Sequence, residues 1–291
     1  TVESKVITLP VDYTAPRINS IDYTIESKLV SFNIDITEAN PNKVTYIDNS
    51  DPKAKEKTIC SGTQSNSCNK KIPFNDGEHD VMIIARDKAG HSSNTSVQFF
   101  TDSKKPKITK TSPTKGFASG MFNVEFQEEN PISLIMHYGM TGENTQNIDL
   151  NSCLLVSGGK ESCSTDVNLN SHDGHVIQYW FELTDKVNNS ASSKPISLIV
   201  DTTSPMINVL NYTLSGTTGA QITIGVSEQN LFKITYLNAG DKTPKENTFC
   251  TSLKNGQCSK KITLNVGDNL ITFSVYDKAG NAVAQNLEII I

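Results

Sequence analysis

Residues 57–90 read KTICSGTQSNSCNKKIPFNDGEHDVMIIARDKAG, and residues 247–280 read NTFCTSLKNGQCSKKITLNVGDNLITFSVYDKAG. The two stretches share a close cysteine pair, an alternating apolar run and a terminal Asp-Lys-Ala-Gly. A looser copy runs from Cys153 to Asn188 and ends ELTDKVN. Asp-Lys therefore recurs at Asp87, Asp185 and Asp277, with gaps of 98 and 92 residues. Self-similarity at a fixed period is the mark of a chain built from stacked copies of one unit.

Two further landmarks keep the same order in each copy. Asp-x-x-x-Pro opens each unit, at Asp12/Pro16, Asp102/Pro106 and Asp201/Pro205. Glu-x-Asn follows, at Glu38/Asn40, Glu128/Asn130 and Glu228/Asn230. A period of about 90–100 residues fits a seven-strand sandwich.

Within each unit the apolar residues alternate, as in strands with one buried face. Ahead of Glu-x-Asn the inward sets are Val30/Phe32/Ile34/Ile36, Phe122/Val124/Phe126 and Ile222/Ile224/Val226. Ahead of Asp-Lys they are Val81/Ile83/Ala85, Tyr179/Phe181/Leu183 and Ile271/Phe273/Val275. These read as strands B and F, the central pair of a sandwich. The register turns Trp180 away from the core. Strand G follows as Val97–Thr101, Ile196–Val200 and Leu287–Ile291. The expected fold is all-β: three tandem immunoglobulin-like β-sandwich domains over residues 12–101, 102–200 and 201–291. Linkers of about four residues predict a stiff array.

Composition agrees. Across 291 residues, hydrophobic content is 36% and aromatic content 7%, which suits several thin cores better than one large one. The net charge of −5 comes without a basic stripe, so neither nucleic acid nor an anionic membrane is an expected partner. No run of 18 apolar residues is present, so no membrane span is expected in this segment. Residues 1–5 do not form a signal peptide, as for a mature or excised form.

The six cysteines fall as Cys60/Cys68, Cys153/Cys163 and Cys250/Cys258, one close pair per unit. Pairs with seven or nine residues between them suit a disulfide across a short hairpin or loop, and zinc-site clusters are lacking. Three such bonds imply an oxidising compartment, with a thermophile's interior as the minority case, and the expected location is extracellular, at the cell surface.

Candidate sites follow from where the fold gathers residues. The chain entrance, the B–C loop and the F–G loop share one end of such a sandwich. That end collects Asp12, Glu38, Asn40 and Asp87 in the first unit. It collects Asp102, Glu128, Asn130 and Asp185 in the second, and Asp201, Glu228, Asn230 and Asp277 in the third. Hard oxygen ligands of this kind suit Ca²⁺, with the second and third junctions favoured because a preceding domain can add ligands. The competing reading is turn chemistry: Asp and Asn hydrogen-bonding the turn backbones. Asn94, Asn188 and Asn211 open Asn-x-Ser/Thr sequons, candidate glycosylation sites.

Residues 1–11 stand apart. Val6-Ile7-Thr8-Leu9-Pro10-Val11 occupies the place of a preceding G strand, yet all three units have their own. It is either the tail of a preceding domain or a strand donated to the sheet edge of an identical subunit. Catalytic motifs are lacking, and none of the five histidines recurs between units. His172-Asp173-Gly174-His175 reads as a polar turn, and no enzymatic activity is expected.

The Asp-Lys-Ala-Gly-Asn of Asp277–Asn281, together with the Asp-x-x-x-Pro linkers, resembles prokaryotic immunoglobulin-like repeats. Such repeats occur in surface-layer proteins, extracellular filaments and adhesin stalks. The resemblance covers the chain after residue 11 and implies a self-associating structural subunit of a surface layer or filament. An adhesin stalk or a module binding a glycan or protein is the alternative, with Trp180 and the divergent second unit as the places for it. A disulfide in every domain departs from many such repeats and hints at an archaeal or harsh-environment source. Asp185-Lys186-Val187-Asn188 departs as well, by lacking Ala-Gly.

Overall fold

The structure, a computed structural model, describes residues 11–62, 66–154 and 159–291. It is all-β, and its strands form three double-sheet sandwiches. Sandwich 1 contains β1 (Arg17–Glu26), β2 (Leu29–Thr37), β3 (Pro41–Asp48), β4 (Lys57–Ser61), β5 (Ser67–Pro73), β6 (Gly77–Asp87) and β7 (Ser92–Thr101). Its sheets run β1-β2-β5 and β4-β3-β6-β7.

Sandwich 2 contains β8 (Lys107–Ser112), β9 (Phe117–Ala118), β10 (Met121–Gln127), β11 (Pro131–Met140), β12 (Gln146–Asp149), β13 (Lys160–Asp166), β14 (Val176–Asp185), β15 (Ser190–Ser192) and β16 (Ile196–Val200). Its sheets run β13-β10-β8 and β12-β11-β14-β16-β9, with β15 also on β14. Sandwich 3 contains β17 (Met206–Leu214), β18 (Gly219–Ser227), β19 (Leu231–Asn238), β20 (Asn247–Cys250), β21 (Gln257–Thr263), β22 (Asp268–Asp277) and β23 (Ala282–Ile290). Its sheets run β17-β18-β21 and β20-β19-β22-β23. By compactness, sandwich 1 groups with residues 130–132 and 184–191, and the rest of sandwich 2 groups with sandwich 3.

The alternating pattern produces these sheets because successive side chains of a strand face opposite sides. Every residue of the expected inward sets is buried, from Val30, Phe122 and Ile222 on the B strands to Val81, Phe181 and Phe273 on the F strands. Each sandwich closes its own apolar cluster around them. Burying one such side chain stabilises by roughly 1.5–3 kcal/mol. Tyr179, the largest fully buried side chain, keeps its hydroxyl satisfied by donating to the Pro113 carbonyl at 2.6 Å.

Strand G is longer than expected in sandwiches 1 and 3. In sandwich 2 it breaks into β15 and β16, and Pro195 in the gap has no N–H to give the ladder. Sandwich 2 also has an element that periodicity could not show. The two-residue β9 pairs in parallel with β16, Phe117 against Ile199 and Ala118 against Val200. Among the described residues, β7 and β23 have one sheet neighbour each.

The three disulfides Cys60–Cys68, Cys153–Cys163 and Cys250–Cys258 are formed. They do more than close a hairpin. Cys60 lies in β4 and Cys68 in β5, strands of different sheets, and Cys250 and Cys258 join β20 to β21 in the same way. In sandwich 2 a short 3₁₀ turn, Asn151–Cys153, takes the place of the first strand, and its bond reaches Cys163 in β13. The first and third bonds therefore fasten one sheet to the other where the chain crosses between them, and the second ties that crossing turn to β13. Replacing Cys250 and Cys258 by serine together should lower the stability of sandwich 3 by about 2–3 kcal/mol. A urea titration followed by near-UV circular dichroism, against wild type, measures it.

Candidate functional site

The F–G turns show what the repeated Asp-Lys does. Asp87, Asp185 and Asp277 are almost completely buried at the ends of β6, β14 and β22. In each, the backbone N–H bonds to the carbonyl four residues on: His91, Asn189 and Asn281. Oδ1 then accepts two turn N–H groups: Gly90 and His91 in the first, Val187 and Asn189 in the second, Ala279 and Asn281 in the third. Oδ2 pairs with the side chain at that fourth position: His91 Nδ1 at 2.9 Å, Asn189 Nδ2 at 2.8 Å and Asn281 Nδ2 at 2.8 Å. A buried carboxylate is tolerable only when its oxygens are occupied in this way.

The same turns tie down the chain entrance. Asn189 Nδ2 also donates to the carbonyls of Asp102 and Lys104, and Asn281 Nδ2 to those of Asp201 and Thr203. The Asp-x-x-x-Pro aspartates form Asx turns, accepting the N–H two residues on: Thr14, Lys104 and Thr203. Their Oδ2 atoms accept from Asn40, Asn130 and Asn230 Nδ2. The Lys that follows each F–G aspartate donates its N–H to the carbonyl of the same Asn. Glu38 and Glu228 accept the N–H of Asn40 and Asn230, while Glu128 accepts that of Glu129. Pro16, Pro106 and Pro205 are buried at the start of each sandwich.

In sandwich 3, Asn281 links Asp277 to the Asp201 backbone, and Asn230 links the Asp201 carboxylate to Glu228. In sandwich 2, Asp102, Asn130 and Asp185 meet around Asn189, and Glu128 is buried. In sandwich 1, Asp12, Asp87 and His91 bring one ligand atom each within 4.8 Å of one another. At all three entrances turn N–H groups and amides occupy carboxylate oxygens that a cation would also use. His91, Asn189 and Asn281 were missed by sequence reading. Their signal is the fixed offset of four after each Asp-Lys aspartate.

Hydrogen bonding sets the acidity here. The Thr14 N–H, followed by the Thr14 hydroxyl and the Asn40 amide, holds the Asp12 carboxyl below its ordinary value. Burial alone would raise Asp87, but the His91 side chain and N–H and the Gly90 N–H outweigh it and hold the carboxyl low.

A second device clamps the linkers. Asp76, in the turn between β5 and β6, accepts the Ser103 N–H at 2.8 Å and the Ser103 hydroxyl at 2.9 Å. Asp173, in the corresponding turn of sandwich 2, accepts the Thr202 N–H at 2.7 Å and the hydroxyls of Thr202 and Thr203. The Thr202 N–H is the main cause of a lowered Asp173 carboxyl. The His-Asp-Gly-His segment is thus a polar turn with a definite partner. Around the first clamp, Lys186 Nζ reaches Glu78 at 2.5 Å and lies 4.4 Å from the centre of the Phe100 ring. Beyond the second, the Ser119 hydroxyl donates to the Ala279 carbonyl at 2.9 Å.

Trp180 lies on the outer face of β14, half-buried, with the His137 ring stacked on it at 5.0 Å. His137 Nε2 lies 3.3 Å from Glu182 Oε2 without hydrogen-bond geometry. A cleft of about 750 Å³ lies elsewhere in the same compact unit, lined by Pro113, Phe117, Met121, Phe232 and Ala279. The sequon asparagines Asn94, Asn188 and Asn211 are exposed. Residues 6–10 of the candidate donor strand lie outside the described residues, and Val11 is exposed. No helix among the described residues is long and apolar enough to cross a membrane.

No family model matches the chain, and no curated protein matches it. Solved structures do. The FN1–FN3 domains of chicken CNTN1 are 14% identical over 95% of this chain and 97% of that one, with a TM-score of 0.45. The I67–I69 fragment of the titin I-band is 15% identical over 96% and 99%, with a TM-score of 0.42. A tetra-tandem repeat from the extending region of a large adhesion protein is 16% identical over 94% and 73%, with a TM-score of 0.32. At these identities and scores the likenesses carry no functional argument.

Two outcomes follow for the entrance network. Asp277→Ala strands the Ala279 and Asn281 N–H groups and should destabilise sandwich 3 by about 1–3 kcal/mol, read from its urea midpoint. Asp12 and Asp87 have lowered folded values, so their contribution is complete above about pH 4 and fades as the pH falls further. An acid titration of wild type against Asp87→Asn should show a shallower acid loss in the variant.

Proposed function

We propose that the chain is an extracellular structural subunit, built to self-associate into a surface layer or filament. The observation that supports this is the repeated fastening of linkers. Asp76 holds Ser103, Asp173 holds Thr202 and Thr203, and the Asn189 and Asn281 amides hold the segments that follow Asp102 and Asp201. A connection needing only to tether domains would not require its backbone to be bonded from the domains on both sides. Three disulfides, one in each sandwich, fit service in an oxidising exterior where no repair is at hand. The chemistry is mechanical, not catalytic.

Strand donation by Val6–Val11 belongs to this reading, with the outer edge of β7 or β23 as the acceptor. Deleting residues 1–11 should abolish polymers seen by electron microscopy while three folded sandwiches remain. Unchanged polymers would remove the strand. Calcium at the second and third entrances is the other element. Asp102, Glu128, Asn130 and Asp185, and Asp201, Glu228, Asn230 and Asp277, offer hard oxygens, for which the turn N–H groups compete. Calcium should raise the melting midpoint and a chelator should lower it; identical melts would remove the metal. Glycans on Asn94, Asn188 or Asn211 would show as mass heterogeneity in the natively isolated protein.

A binding role is the second reading. It is favoured by the cleft beside Met121 and Phe232, both more than half exposed, and by the Trp180–His137 stack. Isolated monomers at every concentration, together with retention on a glycan array that Trp180→Ala removes, would replace the structural reading with this one.

A further inference from the structure

The two internal linkers are clamped by one pair of positions: the residue before the glycine of the E–F turn, and the residue after the Asp-x-x-x-Pro aspartate. The pairs are Asp76–Ser103 and Asp173–Thr202. Each position occurs once more in the chain. In sandwich 3 the E–F turn reads Asn265-Val266-Gly267, and Val266 is 81% exposed. In the first linker the matching residue is Tyr13, 85% exposed. Where the internal junctions hold a carboxylate and a hydroxyl, the two remaining positions hold a valine and a tyrosine. Each is out of place in water alone, and the two change together from polar to apolar.

The surroundings repeat the first internal junction. There, Lys186 of the F–G turn sits on Glu78 and over Phe100. The matching lysine in sandwich 1 is Lys88, which is exposed. The residues matching Glu78 and Phe100 in sandwich 3 are Asp268, exposed, and Ile290, 72% exposed. The acid, the apolar neighbour and the lysine are all present, with the charges in the same sense. The second junction lacks this set: Val176 and Ile199 stand where Glu78 and Phe100 do, and no carboxylate is offered to Lys278.

We infer that the E–F end of sandwich 3 in one copy receives the entrance of sandwich 1 in a second copy. Val266 packs on Tyr13, and Lys88 pairs with Asp268 beside Ile290. The partner is therefore this chain itself. The contact is heterologous, since donor and acceptor are different surfaces, and it generates a ring or an open chain rather than an isologous dimer. The inference rests on the self-association proposed above and names the surfaces that carry it. Tyr13 and Val266 replace the hydrogen-bonded clamp by apolar burial, which suits a contact formed between molecules from water.

The test is sedimentation velocity of the full chain over a concentration series, with each variant's circular dichroism spectrum and melt checked against wild type. Val266→Asp places an unpaired carboxylate against Tyr13 and should weaken association by about tenfold or more. Adding Tyr13→Ser to it recreates the internal clamp and should restore most of the loss. Lys88→Glu and Asp268→Lys should each weaken association by roughly fivefold, and the double reversal should recover it. A wild type that associates while all three single changes leave it unmoved would overturn these surfaces and leave self-association standing. A wild type that stays monomeric throughout would overturn both.

Discussion

One constraint governs the chain: a carboxylate buried at the end of each F strand has to be satisfied by its own turn. Asp87, Asp185 and Asp277 each draw in two backbone N–H groups and one side chain, which shapes the F–G turn. The residue recruited to the second oxygen then has donors left over. In sandwiches 2 and 3 these are spent on the backbone that leads into the domain, through Asn189 and Asn281. In sandwich 1 a histidine occupies that place and bonds Asp87. In sandwiches 2 and 3 the path of the entering chain is thus coupled to a carboxylate in the turn at the far end of the sequence unit.

Much of this was readable before any coordinates. The alternation from Val30 to Ile36 and from Ile271 to Val275 has one explanation, and the sheets form as it requires. The Asp-x-x-x-Pro, Glu-x-Asn and Asp-Lys landmarks marked the right end of each sandwich because loops separated by whole strands return to the same side. Three things were not legible. The parallel β9 is two residues long, too short for any period to register. The disulfides of sandwiches 1 and 3 join separate sheets, which depends on where the chain crosses over and not on the spacing of the cysteines. The chemistry of the entrance was ambiguous, since Asp, Glu and Asn serve a turn and a cation with the same atoms; only hydrogen positions separate the two uses.

The repeats are alike in frame and unlike in trim. Sandwich 2 lacks Ala-Gly in its F–G turn, and Asn188 takes the left-handed conformation in that turn at φ 64°, a conformation asparagine tolerates better than most residues. Its G strand is broken and then re-covered by β9. Deviations from the repeat fall where adjoining segments differ, and the landmark residues stay where they are.

The position of the disulfides has one more consequence, for a chain that has been cut. Each bond links cysteines eight or ten residues apart, Cys60 to Cys68, Cys153 to Cys163 and Cys250 to Cys258. Exposed segments, such as residues 251–257, are where proteases cut first. A cut between the two cysteines of any pair leaves the flanking segments joined through sulfur, so the polypeptide is broken in sequence but not parted in space. A nicked molecule would still transmit tension from one end of its chain to the other.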